Sequence, residues 1–381
     1  MQHEWILGQS KTGKSTLLQY RAIDAIKNGH GVFYLCPHRP DYLLTHIPKK
    51  RLSDVMIFDP SDEDYPIAFN PLETGDSHTA DTITETLNAI WGYSDVPTPQ
   101  MEQMIYNSAA AMIDMPGGTF LGMYYLMINA QYRKRVLKNI KDTVVLSFWE
   151  EYHRLPLKEQ ILLNRSTLNK VQMIIADRRL RNIFGQTRSR LYISDVLEKR
   201  QILIVVIPIA TFGKTKVGSI GAMLLAQLLL CLHKNNNAFH AFIDDAHYFQ
   251  TPILTMVLKL AAQYQVYVTV VSSYLTELDK RYTDAFMGLI TNVTAFKMGI
   301  NDGVYLSKAL GIPVNNIQLH EQSLYEMYVI TPDECFDATL TKRNAIRQVK
   351  LNKLVKLSRR QWASQRKRIE PKINAFMEKM K

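Results

Sequence analysis

The chain has 381 residues, of which 46% are hydrophobic, and carries a formal charge of +11. That length supports one large domain or two of moderate size, and its three scattered cysteines (Cys36, Cys231, Cys335) argue against a disulfide framework or a zinc site and suit a reducing cytoplasm. The charge is concentrated, because residues 341–381 hold 14 Lys+Arg and 2 Asp+Glu, leaving 32 and 33 for the first 340.

The first element is a short apolar strand, Glu4-Trp5-Ile6-Leu7, and a helical run follows at residues 16–23. Between them Gly8-Gln9-Ser10-Lys11-Thr12-Gly13-Lys14-Ser15 matches the phosphate-binding pattern G-x-x-x-x-G-K-[ST] at every fixed position. In such a loop the backbone N–H groups converge on phosphates and Lys14 reaches the outer oxygens. Ser15 offers a hydroxyl to Mg²⁺, and the following helix, opening with Thr16, presents its positive end. Strand before and helix after are the context the motif needs, so a chance match in a glycine-bearing loop is a poor reading. With a strand starting at residue 4, no secretory leader is expected.

Gly29-His30-Gly31 ends the helix, residues 32–35 form a second strand, and Cys36-Pro37-His38-Arg39-Pro40-Asp41 turns at its carboxyl end, where α/β proteins place ligand contacts. A third apolar run, residues 55–58, leads into Asp59-Pro60-Ser61-Asp62 and then Phe69-Asn70-Pro71-Leu72. Strands alternating with helices predict an α/β fold with a mainly parallel sheet. From 99 to 185 the pattern becomes helical, at residues 101–115, 123–126, 131–140, 144–152 and 157–176, with Pro116-Gly117-Gly118 as a break. This reads as an inserted all-α domain, in which Phe148, Trp149 and Tyr152 are core aromatics at helical spacing.

The α/β pattern resumes with a continuous apolar strand at 201–208. An apolar run at 220–232, interrupted by Gln227, is too short to span a bilayer and reads as a buried helix. Phe239-His240-Ala241-Phe242-Ile243 then runs into Asp244-Asp245, a hydrophobic strand ending in two acids, the Walker B arrangement. There Asp244 is expected to hold Mg²⁺ through water and Asp245 to orient the attacking water, with Lys14 as their partner in catalysis. A strand at 266–271 ending in Ser272-Ser273 follows, then a β segment at 293–298 and a helix near Ala309. The expected division is residues 1–98 and 186–340 for a P-loop domain, 99–185 for the helical insertion and 341–381 for the basic tail.

With these residues placed, the chain resembles the FtsK–HerA superfamily of P-loop ATPases, and within it the conjugative coupling proteins of type IV secretion and their cytosolic relatives. The resemblance covers residues 4–310 and rests on the P-loop, on 54–62 leading to Phe69-Asn70-Pro71-Leu72, and on Leu168-Asn169-Lys170. Phe184-Gly185-Gln186 and Asp244-Asp245-Ala246-His247 add to it. It implies a RecA-like fold, ATP and Mg²⁺ as cofactors, a homo-oligomeric (hexameric) ring, and DNA drawn through its channel. It also implies a relaxase, membrane or capsid partner and a cytoplasmic location. Four places depart from the family. Cys36-Pro37-His38-Arg39-Pro40-Asp41 stands where it has Asp-Pro-His-Gly-Asp, and Asp245 where it has Glu. Ala262 beside Gln263 stands where it has a trans-acting arginine, and Ser273 where it has a sensor glutamine. Arg188, Arg190 and Arg281 are candidates to replace the arginine.

The expected activity is therefore an ATPase that moves DNA. The alternative is an ATP-binding subunit with weak or no hydrolysis that recruits DNA or a partner through its tail. A small-molecule kinase is less consistent with a long helical insertion and a basic tail. In that tail Lys353, Lys356, Arg359, Arg360, Arg366, Lys367 and Arg368 are the expected nucleic-acid contacts. Leu351, Leu354, Val355 and Leu357 are spaced so that one side of 350–363 docks and the cations face outward. The bland reading of the tail, a solvated charged helix, stands beside this.

Overall fold

The structure is a computed structural model and describes residues 2–73, 75–91, 98–310, 316–343 and 347–380. Tail positions 344–346 and 381 therefore lie outside the described residues.

In chain order the elements are β1 (Glu4–Leu7), α1 (Lys14–Lys27), β2 (Gly31–Cys36), α2 (Asp41–His46) and β3 (Val55–Phe58), then seven helices. These are α3 (Ser77–Trp91), α4 (Pro99–Asp114), α5 (Phe120–Ile128), α6 (Ala130–Leu137), α7 (Thr143–Arg154), α8 (Leu157–Ile175) and α9 (Arg178–Phe184). After α10 (Ile193–Glu198) come β4 (Ile202–Val206), α11 (Ile209–Cys231), β5 (Phe239–Ile243), α12 (Pro252–Ala261), β6 (Val266–Ser272) and α13 (Lys280–Leu289). Then follow β7 (Asn292–Phe296), α14 (Ile300–Leu310), α15 (Asn316–Glu321), β8 (Glu326–Ile330), β9 (Cys335–Thr339), α16 (Leu351–Trp362) and α17 (Arg366–Glu378).

Two compact units result. The first comprises Met1–Phe58, Ile193–Gly221 and Leu228–Ser358; the second comprises Asp59–Tyr192, Ala222–Gln227 and Arg359–Lys381. The first unit holds a sheet in the order β3-β4-β2-β5-β6-β1-β7-β8-β9, parallel from β3 to β7 and closed by the antiparallel hairpin β8–β9. Every residue of β2 and β4 is buried, as continuous apolar strands of a parallel sheet require. Strand β6 stands between the P-loop strand β1 and the acid-bearing strand β5.

The second unit is helical, and α3 to α9 form its body. Trp149 is fully buried and its indole N–H donates to the Asn107 carbonyl, while the Tyr152 hydroxyl donates to the Met127 carbonyl. Both are core residues, as their spacing implied.

Helix α11 is longer than the apolar run at 220–232. It starts at Ile209 and bends at Gly213, whose φ is 70°. The segment Ile209–Lys234 is long and apolar enough to cross a membrane by length and composition, contrary to the sequence reading. Its central side chains, including Ile220, Met223, Leu224, Leu225 and Leu228, are fully buried in the protein, which is the behaviour of a core helix.

Candidate functional site

The P-loop connects β1 to α1 at the carboxyl end of the sheet, and its shape depends on two glycines. Gly8 has φ 146°, and a Cβ there would lie 2.6 Å from Phe296 Cβ and 3.2 Å from the Lys297 carbonyl. Gly13 has φ 123°, and its Cβ would meet Tyr325 at 3.0 Å. Only glycine accommodates both the backbone and the crowding. The loop is tied from behind, because the Gln9 N–H donates to the Lys297 carbonyl at 2.7 Å and the Tyr325 N–H to the Thr12 carbonyl at 3.0 Å. Thr12 Oγ1 donates to the Gln9 carbonyl at 2.8 Å.

Lys14 opens α1 and is 6% exposed. Its Nζ donates to the Gln9 carbonyl at 2.8 Å, and among the described residues it makes no ion pair. Burial lowers its pKa, opposed by the charges of Asp245, Asp244 and Glu277. A buried ammonium with two free donors, set in a glycine cradle, has the chemistry to hold a phosphate anion.

The acids arrive from β5, held against β2 by the Asp244 N–H donating to the Leu35 carbonyl at 2.9 Å. Asp244 is 6% exposed and accepts from the Ser15 hydroxyl at 3.3 Å. Its carboxyl is pushed up to about 7, first by burial and then by the charge of Asp245; the Ser15 hydrogen bond and Lys14 act the other way. A buried carboxylate beside a second acid resists ionisation, as Asp244 does, and a divalent cation would reverse that preference. The donor set therefore fits Mg²⁺ held by Ser15 and Asp244 together with phosphate oxygens. Among the described residues no cluster of three or more His, Cys, Asp or Glu forms a metal site without a nucleotide.

Asp245 follows in the left-handed region, φ 51° and ψ 55°. Its carboxylate is 22% exposed and lies 4.0 Å from His38 Nε2, which reaches over from the turn after β2. Beyond it His247 Nδ1 is 3.4 Å from Glu277.

Sequence reasoning placed Gly8 to Thr16, Asp244 and Asp245 in this site, and the fold brings them together. It missed Phe296, Lys297 and Tyr325, which form the rear wall of the loop. Tyr325 immediately precedes the hairpin β8–β9. Two β-rich runs separated by Thr331-Pro332-Asp333-Glu334 are the signal that could have revealed it.

No protein-family model matches the sequence, and no curated protein does. The fold itself has clear counterparts among solved structures. The plasmid coupling protein TrwB in complex with a non-hydrolysable GTP analogue matches with a TM-score of 0.68 at 11% identity, over 92% of this chain and 88% of that one. TrwB with ADP and Mg²⁺ matches at 0.66 and 10% identity, over 92% and 87%. VirB4 of Thermoanaerobacter pseudethanolicus matches at 0.60 and 14% identity, over 90% of both chains. The chain shares the fold of these coupling-protein and VirB4 structures. It is the RecA-like P-loop fold that the motifs implied.

Ala262 is exposed on the short turn between α12 and β6, and Ser273 is half-buried just past β6. Arg281 is held by Asp279, through Nε at 3.0 Å and a terminal nitrogen at 2.9 Å. Arg188 and Arg190 belong to the helical unit.

The tail is placed differently from a row of outward cations. Leu354 and Ser358 of α16 are buried, and Ser358 Oγ accepts from the Ile57 N–H of edge strand β3 at 2.9 Å. Arg359 pairs with Asp62 at 2.7 Å and covers the Tyr65 ring at 4.7 Å. Arg366 lies 3.4 Å from Asp64 and 3.9 Å from both Glu63 and Glu370. Lys353, Lys356, Arg360, Lys367 and Arg368 are exposed.

Proposed function

We propose that the protein is an ATPase that uses Mg-ATP to translocate DNA, working as a homo-oligomeric ring of the coupling-protein kind. The observation that carries this reading is the convergence of Lys14, Ser15, Asp244 and Asp245 at the carboxyl end of a coupling-protein fold, with the Ser15 hydroxyl 3.3 Å from Asp244. When bound, Mg-ATP supplies a phosphoanhydride whose terminal phosphoryl passes to water. The loop N–H groups and Lys14 bind and orient the phosphates, and Ser15 and Asp244 hold the metal. Asp245, the more exposed of the two acids, is the carboxylate available to orient water. Exposed tail cations, Lys353, Lys356, Arg360, Lys367 and Arg368, supply sequence-independent phosphate contacts. A cytoplasmic setting and a relaxase, membrane or capsid partner belong to the same reading.

A second reading is supported by Ala262 and Ser273, with Arg281 engaged by Asp279. In it the chain binds ATP, hydrolyses it slowly and acts as a non-motor subunit, because an arginine finger contributes on the order of 10³-fold or more in rate. Steady-state ATP hydrolysis with and without DNA separates the two. Stimulated turnover supports the motor, and binding without turnover supports the second reading.

A further inference from the structure

Two segments that stand out in the sequence, Phe69-Asn70-Pro71-Leu72 and Phe184-Gly185-Gln186, take no part in the nucleotide site. Both belong to the helical unit. Asn70 is 5% exposed, and its side-chain amide donates to the Gly118 carbonyl at 2.8 Å and to the Thr187 carbonyl at 3.3 Å. Its oxygen accepts from the Leu72 N–H at 3.2 Å. One buried amide thus ties the glycine turn before α5 to the segment that follows α9. On that segment Ser189 is turned inward, its Oγ accepting from the Asn70 N–H at 2.9 Å and its own N–H donating to Glu73 at 2.6 Å.

The two residues flanking Ser189, Arg188 and Arg190, are exposed and line a recess of about 400 Å³. Lys372 of α17 is a third cation in its wall, and Ile369 and Phe376 of the same helix give it an apolar side. Among the described residues no acidic side chain lines it. Among the described residues Arg188, Arg190 and Lys372 make no ion pair, whereas Arg178, Arg359 and Arg366 in the same unit are all paired with acids. Three cations without an ion pair around a concave surface hold a positive potential that favours an anionic ligand. Guanidinium forks match phosphate oxygens, and the recess is of nucleotide scale.

We propose that this recess is a binding site for phosphate esters, built on residues none of which belong to the P-loop. The ester is either a strand phosphate of a nucleic acid or the phosphate of a free nucleotide. The F-N-P-L segment is the brace that sets its two arginines.

Protection mapping tests this on the full chain. Arginines are modified with phenylglyoxal and read by mass spectrometry, alone and with a 20-nucleotide oligothymidylate, pyrophosphate or Mg-ATP. Slowed modification of Arg188 and Arg190 by the oligonucleotide assigns the site to strand phosphates. Protection by pyrophosphate or Mg-ATP alone assigns it to nucleotide phosphates. Under the first outcome the variant R188A/R190A weakens oligonucleotide binding on the order of 10–100-fold. It also lowers the salt slope by about 1.4, the value for two phosphate contacts on a single strand. Under the second, the same variant weakens pyrophosphate binding in a Lys14→Ala background. Both side chains are exposed, so the variant keeps its fold. If none of the three probes protects either arginine, the proposal is overturned. No hydrolysis is needed for the readout, so its failure is distinguishable from failure of the motor reading.

Discussion

Lys14 is a buried ammonium that among the described residues bonds only a carbonyl, and the phosphate cradle contains no other buried lysine. Removing it should take away charge-assisted hydrogen bonds of about 2–3 kcal/mol. Lys14→Ala is therefore expected to weaken fluorescent ATP-analogue binding roughly 100-fold, and an unchanged affinity would undo the P-loop assignment. Asp245 presents a different case. Its φ of 51° lies in a region that Asp and Asn visit readily and longer side chains avoid, which gives a backbone reason for Asp rather than Glu at this position. Asp245→Asn keeps that backbone and the metal ligand Asp244, so Mg-ATP affinity should stay within about twofold while turnover falls at least about 100-fold. Asp245→Glu should lose roughly 1 kcal/mol of stability to backbone strain. Calorimetry and single-turnover assays check both, and an unaltered rate in the Asn variant would remove Asp245 from catalysis.

At the scale of elements, the basic tail divides into cations that hold the fold and cations that face solvent. Ile373 and Met380 are buried, and the Asn129 amide donates to the Met380 carbonyl at 2.7 Å, so deleting the tail would damage the helical unit. Charge substitution is the cleaner test. Neutralising Lys353, Lys356, Arg360, Lys367 and Arg368 together should lower the salt slope of DNA binding by about 3.5 to 4.5 and leave the melting temperature nearly unchanged. Arg359→Ala should instead lower the melting temperature, since it strips a partner from half-buried Asp62. An unchanged slope in the five-fold variant would place the DNA grip elsewhere. This division was illegible in the sequence, because ion pairs across hundreds of residues leave no local signal. The parallel strands and the P-loop were legible because burial on both faces makes strands continuously apolar, and phosphate chemistry constrains spacing. Helix α3 was missed for an equally physical reason. Its β-branched Thr82, Thr84 and Thr86 disfavour a helix, yet each hydroxyl is satisfied by the carbonyl four residues back.

For the whole molecule, the stability of the sheet should depend on pH through a histidine pair. His30 Nδ1 lies 3.1 Å from His240 Nε2, and the rings stack 5.1 Å apart. Burial first, and then the charge of His30, pushes His240 down to about 4 from its ordinary 6.5. The unfolded chain thus takes up the proton first. Stability is complete above pH 6.5 and falls as the pH drops toward 4, by at most about 3 kcal/mol. His240→Asn should flatten the melting curve against pH over that window; a slope parallel to the wild type would assign the acid sensitivity to other groups. The central claim, however, is coupling of the nucleotide site to DNA. Steady-state ATP hydrolysis of the full chain, measured without DNA and with saturating DNA, tests it most directly. The account predicts turnover that DNA raises several-fold and that Lys14→Ala abolishes. ATP binding with no turnover in either condition, or turnover that DNA leaves unchanged, would contradict it.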